Sequence, residues 1–266
     1  MTDRYRKKPV VIGNATLYLG DCLEVMRELP DKSIDLILCD PPYGTTNCRW
    51  DSVIPLEPMW EQYERLLSPG GCVVLFGSMP FTATLVNSNL KWYKDHLVWD
   101  KNKCGSPGLA KVRPMRVHED ILIFAPGRTK YNPQMETGEP YKRKSKNPEG
   151  YVGRKNDHGY GLKPRTEFEN EGTRYPKSIV SISRDFSAQQ QVHAAQKPVP
   201  LGEWLIRTYS DEGDTVLDNA MGSGSFGIAA RNCGRKFIGI EREPNYFQIA
   251  QNRIEDARRA VEGEQQ

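Results

Sequence analysis

The sequence predicts an α/β fold, a mainly parallel sheet of about seven strands with helices on both faces. Three observations predict it. From Thr16 to Ala125, short apolar runs alternate with stretches of helical period. Runs such as Cys72-Val73-Val74-Leu75-Phe76 are apolar at every position, as strands buried on both faces are. The same alternation resumes at Lys197 after a long polar interval.

Thr16-Leu17-Tyr18-Leu19 reads as a strand that stops at Gly20-Asp21. Cys22 to Leu29 reads as a helix with Leu23, Met26 and Leu29 on its inner face. Ser33 to Cys39 is the next strand. Leu56 to Leu67 is an amphipathic helix closed by Ser68-Pro69-Gly70-Gly71, and Cys72 to Phe76 is the strand that follows. Phe81 to Leu90 is helical, and His96 to Trp99 opens a strand. A loop rich in Gly, Pro and basic residues leads to a further strand, Asp120 to Ala125. Pro126 to about Val192 is polar and turn-rich, too long for an ordinary connection. Beyond Lys197, Pro200 to Tyr209 is a helix, Thr215-Val216-Leu217 a strand, Phe226 to Cys233 a helix and Phe237 to Ile240 a strand. Asn245 to Ala260 is a closing amphipathic helix. The chain thus divides into residues 1–126, an insertion over 127–192, and residues 193–266.

Bulk properties exclude some classes. No apolar run approaches the roughly 20 residues needed to span a bilayer, and the opening MTDRYRKKPV lacks the apolar core of a signal peptide. A cytoplasmic protein with no membrane partner is expected. The six cysteines are scattered, with no C-x-x-C pair and no His at ligand spacing, so neither a metal site nor a disulfide framework is expected. Net charge is only +3. From about Arg128 to Lys177, however, basic residues outnumber acidic ones and alternate with Tyr, Gly and Pro. Such a stretch either meets a polyanion or stays a solvated loop.

Two motifs carry chemistry. In CDPPYG, residues 39–44, a buried strand runs straight into Asp40-Pro41-Pro42-Tyr43. In DTVLDNAMGSGSFGIAA, residues 214–230, an apolar strand ends in Asp218, followed by the turn Gly222-Ser223-Gly224 and a helix. That is the strand–loop–helix of a Rossmann-type cofactor site, in which glycines allow close backbone approach and the helix start offers N–H donors. Gly222, Gly224 and Gly227 fit G-x-G-x-x-G, a weak signal alone, for which a plain capping turn is the rival reading. Glu241 falls about 20 residues on, where an acid can bond ribose hydroxyls. The motif's place late in the chain leaves little room for a second nucleotide half, which favours a smaller adenosyl cofactor.

Together these motifs resemble the S-adenosylmethionine-dependent amino-DNA methyltransferases of the permuted β class. In that class DPPY comes first, the target-recognition segment second and the cofactor loop last. The resemblance covers nearly the whole chain. Gly20-Asp21-Cys22 resembles the family's GD segment, and Leu67-Ser68-Pro69-Gly70-Gly71 with its strand resembles the stretch after DPPY. His193-Ala194-Ala195-Gln196-Lys197-Pro198 resembles HPTQKP, with Ala-Ala for Pro-Thr. Asn219 and Ala220 depart from the family's D-P-F-x-G-S-G.

The resemblance implies a Rossmann-like methyltransferase fold and S-adenosyl-L-methionine as cofactor. Asp21, Cys22, Lys197, Asp218, Asn219, Met221, Gly222, Ser223, Gly224 and Glu241 would hold it, Lys197 at its carboxylate. It implies sequence-specific transfer to N6 of a flipped adenine in double-stranded DNA, with Asp40, Pro41, Pro42 and Tyr43 catalytic. Cytosine N4 stays open, although Ser is the commoner residue before PPY in that group. RNA or protein methylation, and a non-catalytic nucleic-acid-binding protein on the same scaffold, are the remaining rivals. Within the insertion Lys142, Arg143, Lys144, Lys146, Arg154 and Lys155 are candidate phosphate contacts. Arg165 and Arg174 are of the type that reads base edges. A homodimer and a cognate restriction endonuclease are partners open to such an enzyme.

Overall fold

The computed structural model describes residues 8–45, 51–104, 107–144, 167–184 and 196–263. Contacts divide the chain into a large unit, Met1–Asn132 with Ser178–Gln266, and a small one, Pro133–Lys177. The small unit is narrower than the expected insertion, because Ile179–Ser181 joins the main sheet.

The large unit opens with β1 (Val10–Ile12), β2 (Ala15–Leu19), α1 (Cys22–Glu28) and β3 (Ile34–Cys39). It continues with α2 (Leu56–Leu66), β4 (Leu67–Gly77), α3 (Phe81–Ser88), β5 (Tyr93–Asp100) and β6 (His118–Phe124). The small unit holds two antiparallel ladders: β7 (Glu136–Thr137) pairs with β10 (Thr173–Arg174), and β8 (Tyr141–Lys144) with β9 (Glu167–Asn170). The large unit resumes with β11 (Ile179–Ser181), α4 (Val199–Tyr209), β12 (Thr215–Asp218), α5 (Ser225–Asn232), β13 (Lys236–Glu241) and α6 (Pro244–Gly263).

Among the described residues the main sheet has nine strands, in the order β1-β2-β13-β12-β3-β4-β6-β5-β11. Seven are the expected ones; β1 and β11, three residues each, are added at the edges. Both were too short to show a period in the sequence. The run β2-β13-β12-β3-β4 is parallel throughout, whereas β6 is antiparallel to both β4 and β5.

The pleat explains why the central strands are apolar at every position. Leu36 and Leu38 point to a layer holding Leu201, Leu205, Phe226, Ala229 and Ile254 from α4, α5 and α6. Ile37 and Cys39 point the other way, to Met26, Met59, Tyr63 and Leu85 from α1, α2 and α3. Strands covered on both sides leave no face for alternation. No helix among the described residues is long and apolar enough to cross a membrane.

One acid interrupts β3. Asp35 accepts a hydrogen bond from Ser68 Oγ (2.6 Å) at the start of β4 and from the Thr215 N–H (2.9 Å) at the start of β12. It therefore ties both neighbouring strands at their amino ends. Asp35→Ala should lower unfolding free energy by about 1–3 kcal/mol, since it leaves partly buried donors without partners. Urea denaturation measures this, and an unchanged midpoint would contradict the role.

Candidate functional site

Five parallel strands end on one edge, and four acids sit at those ends. Asp21 lies just beyond β2 and Asp40 just beyond β3, while Asp218 closes β12 and Glu241 closes β13. Because β3 and β12 are paired neighbours, Asp40 and Asp218 open into the same crevice, where ligands of open α/β sheets bind. The crevice is a cavity of about 590 Å³ lined by all four acids, the 40–43 turn and the 218–223 loop. That volume suits a ligand of cofactor size.

The turn after β3 is held rigidly. Pro41 and Pro42 fix its backbone. The Tyr43 hydroxyl donates to Asp40 Oδ1 (2.7 Å), and the Tyr43 ring stacks on Phe81 at 5.1 Å. Beyond it, Asp51 accepts from the Gly44 N–H (2.8 Å) and the Thr45 N–H (2.9 Å). The sequence places Tyr43 among the catalytic residues without showing its hydroxyl bond, and gives no sign of Asp51.

Asp40 is also ion-paired. The Lys197 ammonium contacts Asp40 Oδ2 and stands 3.2 Å from Glu119 Oε2; Glu119 Oε1 is 3.2 Å from the Lys101 ammonium. Lys197 is 7% exposed. Burial disfavours its charge, yet Asp40 and Glu119 hold it above the ordinary lysine range. Burial acts to raise both carboxyls. Around Glu119 the attraction of Lys197 and Lys101 outweighs burial and holds the group below its usual range. Around Asp40 burial prevails, and the group sits above the carboxylate range. The resemblance gave Lys197 to the cofactor's carboxylate; in the structure two side-chain carboxylates take its ammonium. Glu119 was missed. Nothing local in HEDILIF marks it, since its lysine partners reach it through the fold.

The second half of the cavity is the loop after β12. Asp218 accepts from the Ala220 N–H (3.1 Å), and burial, with the charge of Asp40 adding to it, pushes its carboxyl up to about 8. Glu241 accepts from the Gly222 N–H and the Glu243 N–H, each at 2.9 Å, so it fixes the loop it faces. A carboxylate has about four acceptor sites, which leaves Glu241 capacity for ligand hydroxyls. Gly224 precedes α5 with φ +76°, and a Cβ there would lie 3.0 Å from that of Ala250, so glycine is required. Asn219, where the family pattern has proline, accepts from the Tyr63 hydroxyl (2.7 Å). Asn219 lines the cavity, and its amide nitrogen is buried with no hydrogen-bond acceptor among the described residues. A buried donor of this kind fits a ligand that brings an acceptor.

Of the remaining candidates, Asp21 caps α1 by accepting from the Leu23 N–H (2.9 Å) and the Glu24 N–H (3.3 Å), and it lines the cavity as well. Burial, then the Asp21 charge, pushes the Cys22 thiol up to about 11. Met221 and Ser223 line the cavity. In the small unit Lys142 pairs with Glu169 (2.8 Å) in solvent, an arrangement of little energetic weight. Arg174 lies over the Tyr141 ring at 4.6 Å and bonds Asn170 and the Glu139 carbonyl, so it holds that unit together. Arg143 and Lys144 lie on the β8 backbone. Lys146, Arg154, Lys155 and Arg165 lie outside the described residues.

Comparison with known proteins agrees with this architecture. A family model described as DNA methylase, of the N6/N4 type, matches residues 34–252. Type II methyltransferase M.HpaI from Haemophilus parainfluenzae is 26% identical over 260 residues, covering 90% of this chain and 74% of its own. Among solved structures, the M1.HpyAVI–SAM complex superposes with a TM-score of 0.61 at 25% identity, over 90% of this chain and 98% of that one. The cytosine-N4-specific PvuII DNA methyltransferase has a TM-score of 0.67 at 18% identity, over 96% and 95%, and so shares the fold.

The raised Asp218 carboxyl has a measurable consequence. An unfolded Asp releases its proton near pH 4, whereas the folded group keeps it to about pH 8. Between those values the folded state holds more protons, so stability falls as pH rises. Asp218→Asn does not titrate. Relative to the parent, the variant should gain upward of about 1 kcal/mol in unfolding free energy between pH 5 and pH 8. A difference independent of pH, measured by denaturant titration of the ligand-free protein, would contradict this.

Proposed function

The chain belongs to the N6/N4 DNA methylase family of S-adenosylmethionine-dependent amino-DNA methyltransferases, and on that premise we propose that it methylates N6 of a flipped-out adenine in double-stranded DNA. The observation that carries this reading is the pairing of β3 with β12, which brings the Asp40 turn and the Asp218 loop into one cavity. Asp before Pro-Pro-Tyr, rather than Ser, supports adenine over cytosine N4.

S-adenosylmethionine, when bound, supplies an electrophilic methyl group on a sulfonium. Asp21, Asp218, Asn219, Glu241 and the backbone of Gly222–Gly224 are the groups that fit it, on the unpaired Asn219 donor and the spare acceptor capacity of Glu241. That M1.HpyAVI carries SAM in its complex supports the same cofactor here.

The acceptor half follows from Asp40. An exocyclic amino group is a weak nucleophile because its lone pair is delocalised into the ring. Tyr43 and Lys197 occupy one site on each Asp40 oxygen, which leaves about two free. One takes an amino N–H of the base, and the Pro41 carbonyl takes the other. Two fixed acceptors draw the nitrogen toward tetrahedral geometry and stabilise the positive charge it develops. The prolines and the Tyr43 hydroxyl fix these acceptors in advance, so little reorganisation is needed. The base stacks on the Tyr43 face opposite Phe81, having left the duplex that would otherwise shield its amino group. After transfer the nitrogen must lose a proton. Asp40 lies within reach and, raised by burial, can accept it.

Asp40→Asn keeps the shape and removes the charge. It should retain S-adenosylmethionine and duplex binding while transfer falls about 100-fold or more. Labelled-methyl incorporation checks this, and near-normal turnover would contradict the assignment.

A further inference from the structure

Apart from Lys101, which pairs with Glu119, the loop from β5 to β6, residues 101–117, has no part in the function argued above. Its 17 residues include Lys101, Lys103, Lys111, Arg113 and Arg116 and no acid. By contrast, Pro133–Lys177 balances ten basic residues against seven acidic ones. The β5–β6 loop is therefore a denser positive feature than the insertion on which the sequence places DNA contact. It is also apolar where it should not be. Leu109 is 40% exposed, Val112 80% and Met115 42%, interleaved with the basic residues. Side chains of this kind held in water together, among basic residues, suit a surface that is covered in use.

The placement is specific. Because β6 runs antiparallel to β4, with Gly77 opposite Asp120, the loop leaves from the edge on which Asp40 lies. Its first residue is joined to the catalytic cluster, since Lys101 pairs with Glu119, Glu119 with Lys197, and Lys197 with Asp40. Its far limb is anchored where Arg116 donates to Ser78 Oγ (3.1 Å) and the Met79 carbonyl (3.3 Å). The tip is a built turn, in which the Val112 and Arg113 N–H groups donate to the Leu109 carbonyl at 2.9 and 3.0 Å. That turn sets Val112 between Lys111 and Arg113.

We propose that this loop is a DNA-docking wedge: Lys111 and Arg113 take backbone phosphates beside the target, and Val112 packs against the base faces exposed when the target leaves the stack. The inference rests on the DNA-methylation reading and deepens it. Duplex DNA is the partner favoured, because it supplies negative charge to Lys111, Arg113 and Arg116 in a loop that carries no acid of its own. Extruding a base also creates an apolar gap beside the site, and apolar side chains inserted at base steps are an established way to fill one.

The test uses the full chain, a fluorescent unmethylated duplex of mixed sequence, and methyl transfer to unmethylated mixed-sequence DNA. Lys111→Ala with Arg113→Ala should weaken duplex binding about 10-fold at 0.1 M salt. It should also reduce the slope of log affinity against log salt by about 2, near 0.9 for each lost phosphate contact. S-adenosylmethionine affinity and the thermal melt should stay unchanged. Val112→Ser should keep duplex affinity within about twofold and lower kcat about fivefold. An unaltered affinity and slope in the double variant overturn the docking role and leave the methylation reading standing. An unaltered kcat in Val112→Ser overturns the wedge. A parent protein that neither binds duplex nor transfers methyl overturns both the reading and the loop's role.

Discussion

A single buried ammonium holds the site's charges together. Lys197 reaches Asp40 on one side and Glu119 on the other, and all three side chains are largely removed from water. Two carboxylates so placed repel each other and resist ionisation. Without the cation one of them would keep its proton, and a protonated Asp40 would offer a donor where the proposed reaction needs an acceptor. Removing one partner of such a cluster costs far more than the cluster contributes, because the uncompensated charge stays buried. The arrangement therefore constrains substitution at Asp40, Glu119 and Lys197 alike.

The fold supplies this cluster by topology. Asp40 arrives on β3, Glu119 on β6, and Lys197 from the segment that leads into α4. They are far apart in sequence and meet because β4 lies between β3 and β6 while α4 returns over the same face. The Tyr43 hydroxyl then fixes the remaining Asp40 oxygen, and Asp51 closes the turn behind it. The cofactor half is built in the same way: Glu241, at the end of β13, holds the glycine loop that begins β12's return. The cofactor half is held by an acid from the neighbouring strand end, the Asp40 half by a lysine shared with Glu119. The rigidity of the sheet thereby becomes rigidity of the site.

Much of this was legible in the sequence. Apolar runs such as Cys72–Phe76 gave the central strands because burial on both faces requires them, and the Asp40 and Asp218 motifs marked the carboxyl edge. The pairing of Lys197 was not legible, since nothing local in Gln196-Lys197-Pro198 distinguishes a cofactor contact from an ion pair. Glu119 and Asp51 were hidden for the same reason: their partners are settled by strand order and loop closure. The edge strands β1 and β11 escaped because three residues carry no period. Asn219 read as a departure from a family pattern; its bond to Tyr63 became visible only once α2 was packed against the sheet.

The most direct test of the account is to identify the methylated base. The purified protein would be incubated with labelled S-adenosylmethionine and unmethylated mixed-sequence duplex DNA, and the product digested to nucleosides for mass spectrometry. N6-methyladenine is the expected labelled nucleoside, absent from the Asp40→Asn reaction. N4-methylcytosine would contradict the base assignment while keeping the acceptor chemistry, and a product free of methylated nucleoside would contradict the account as a whole.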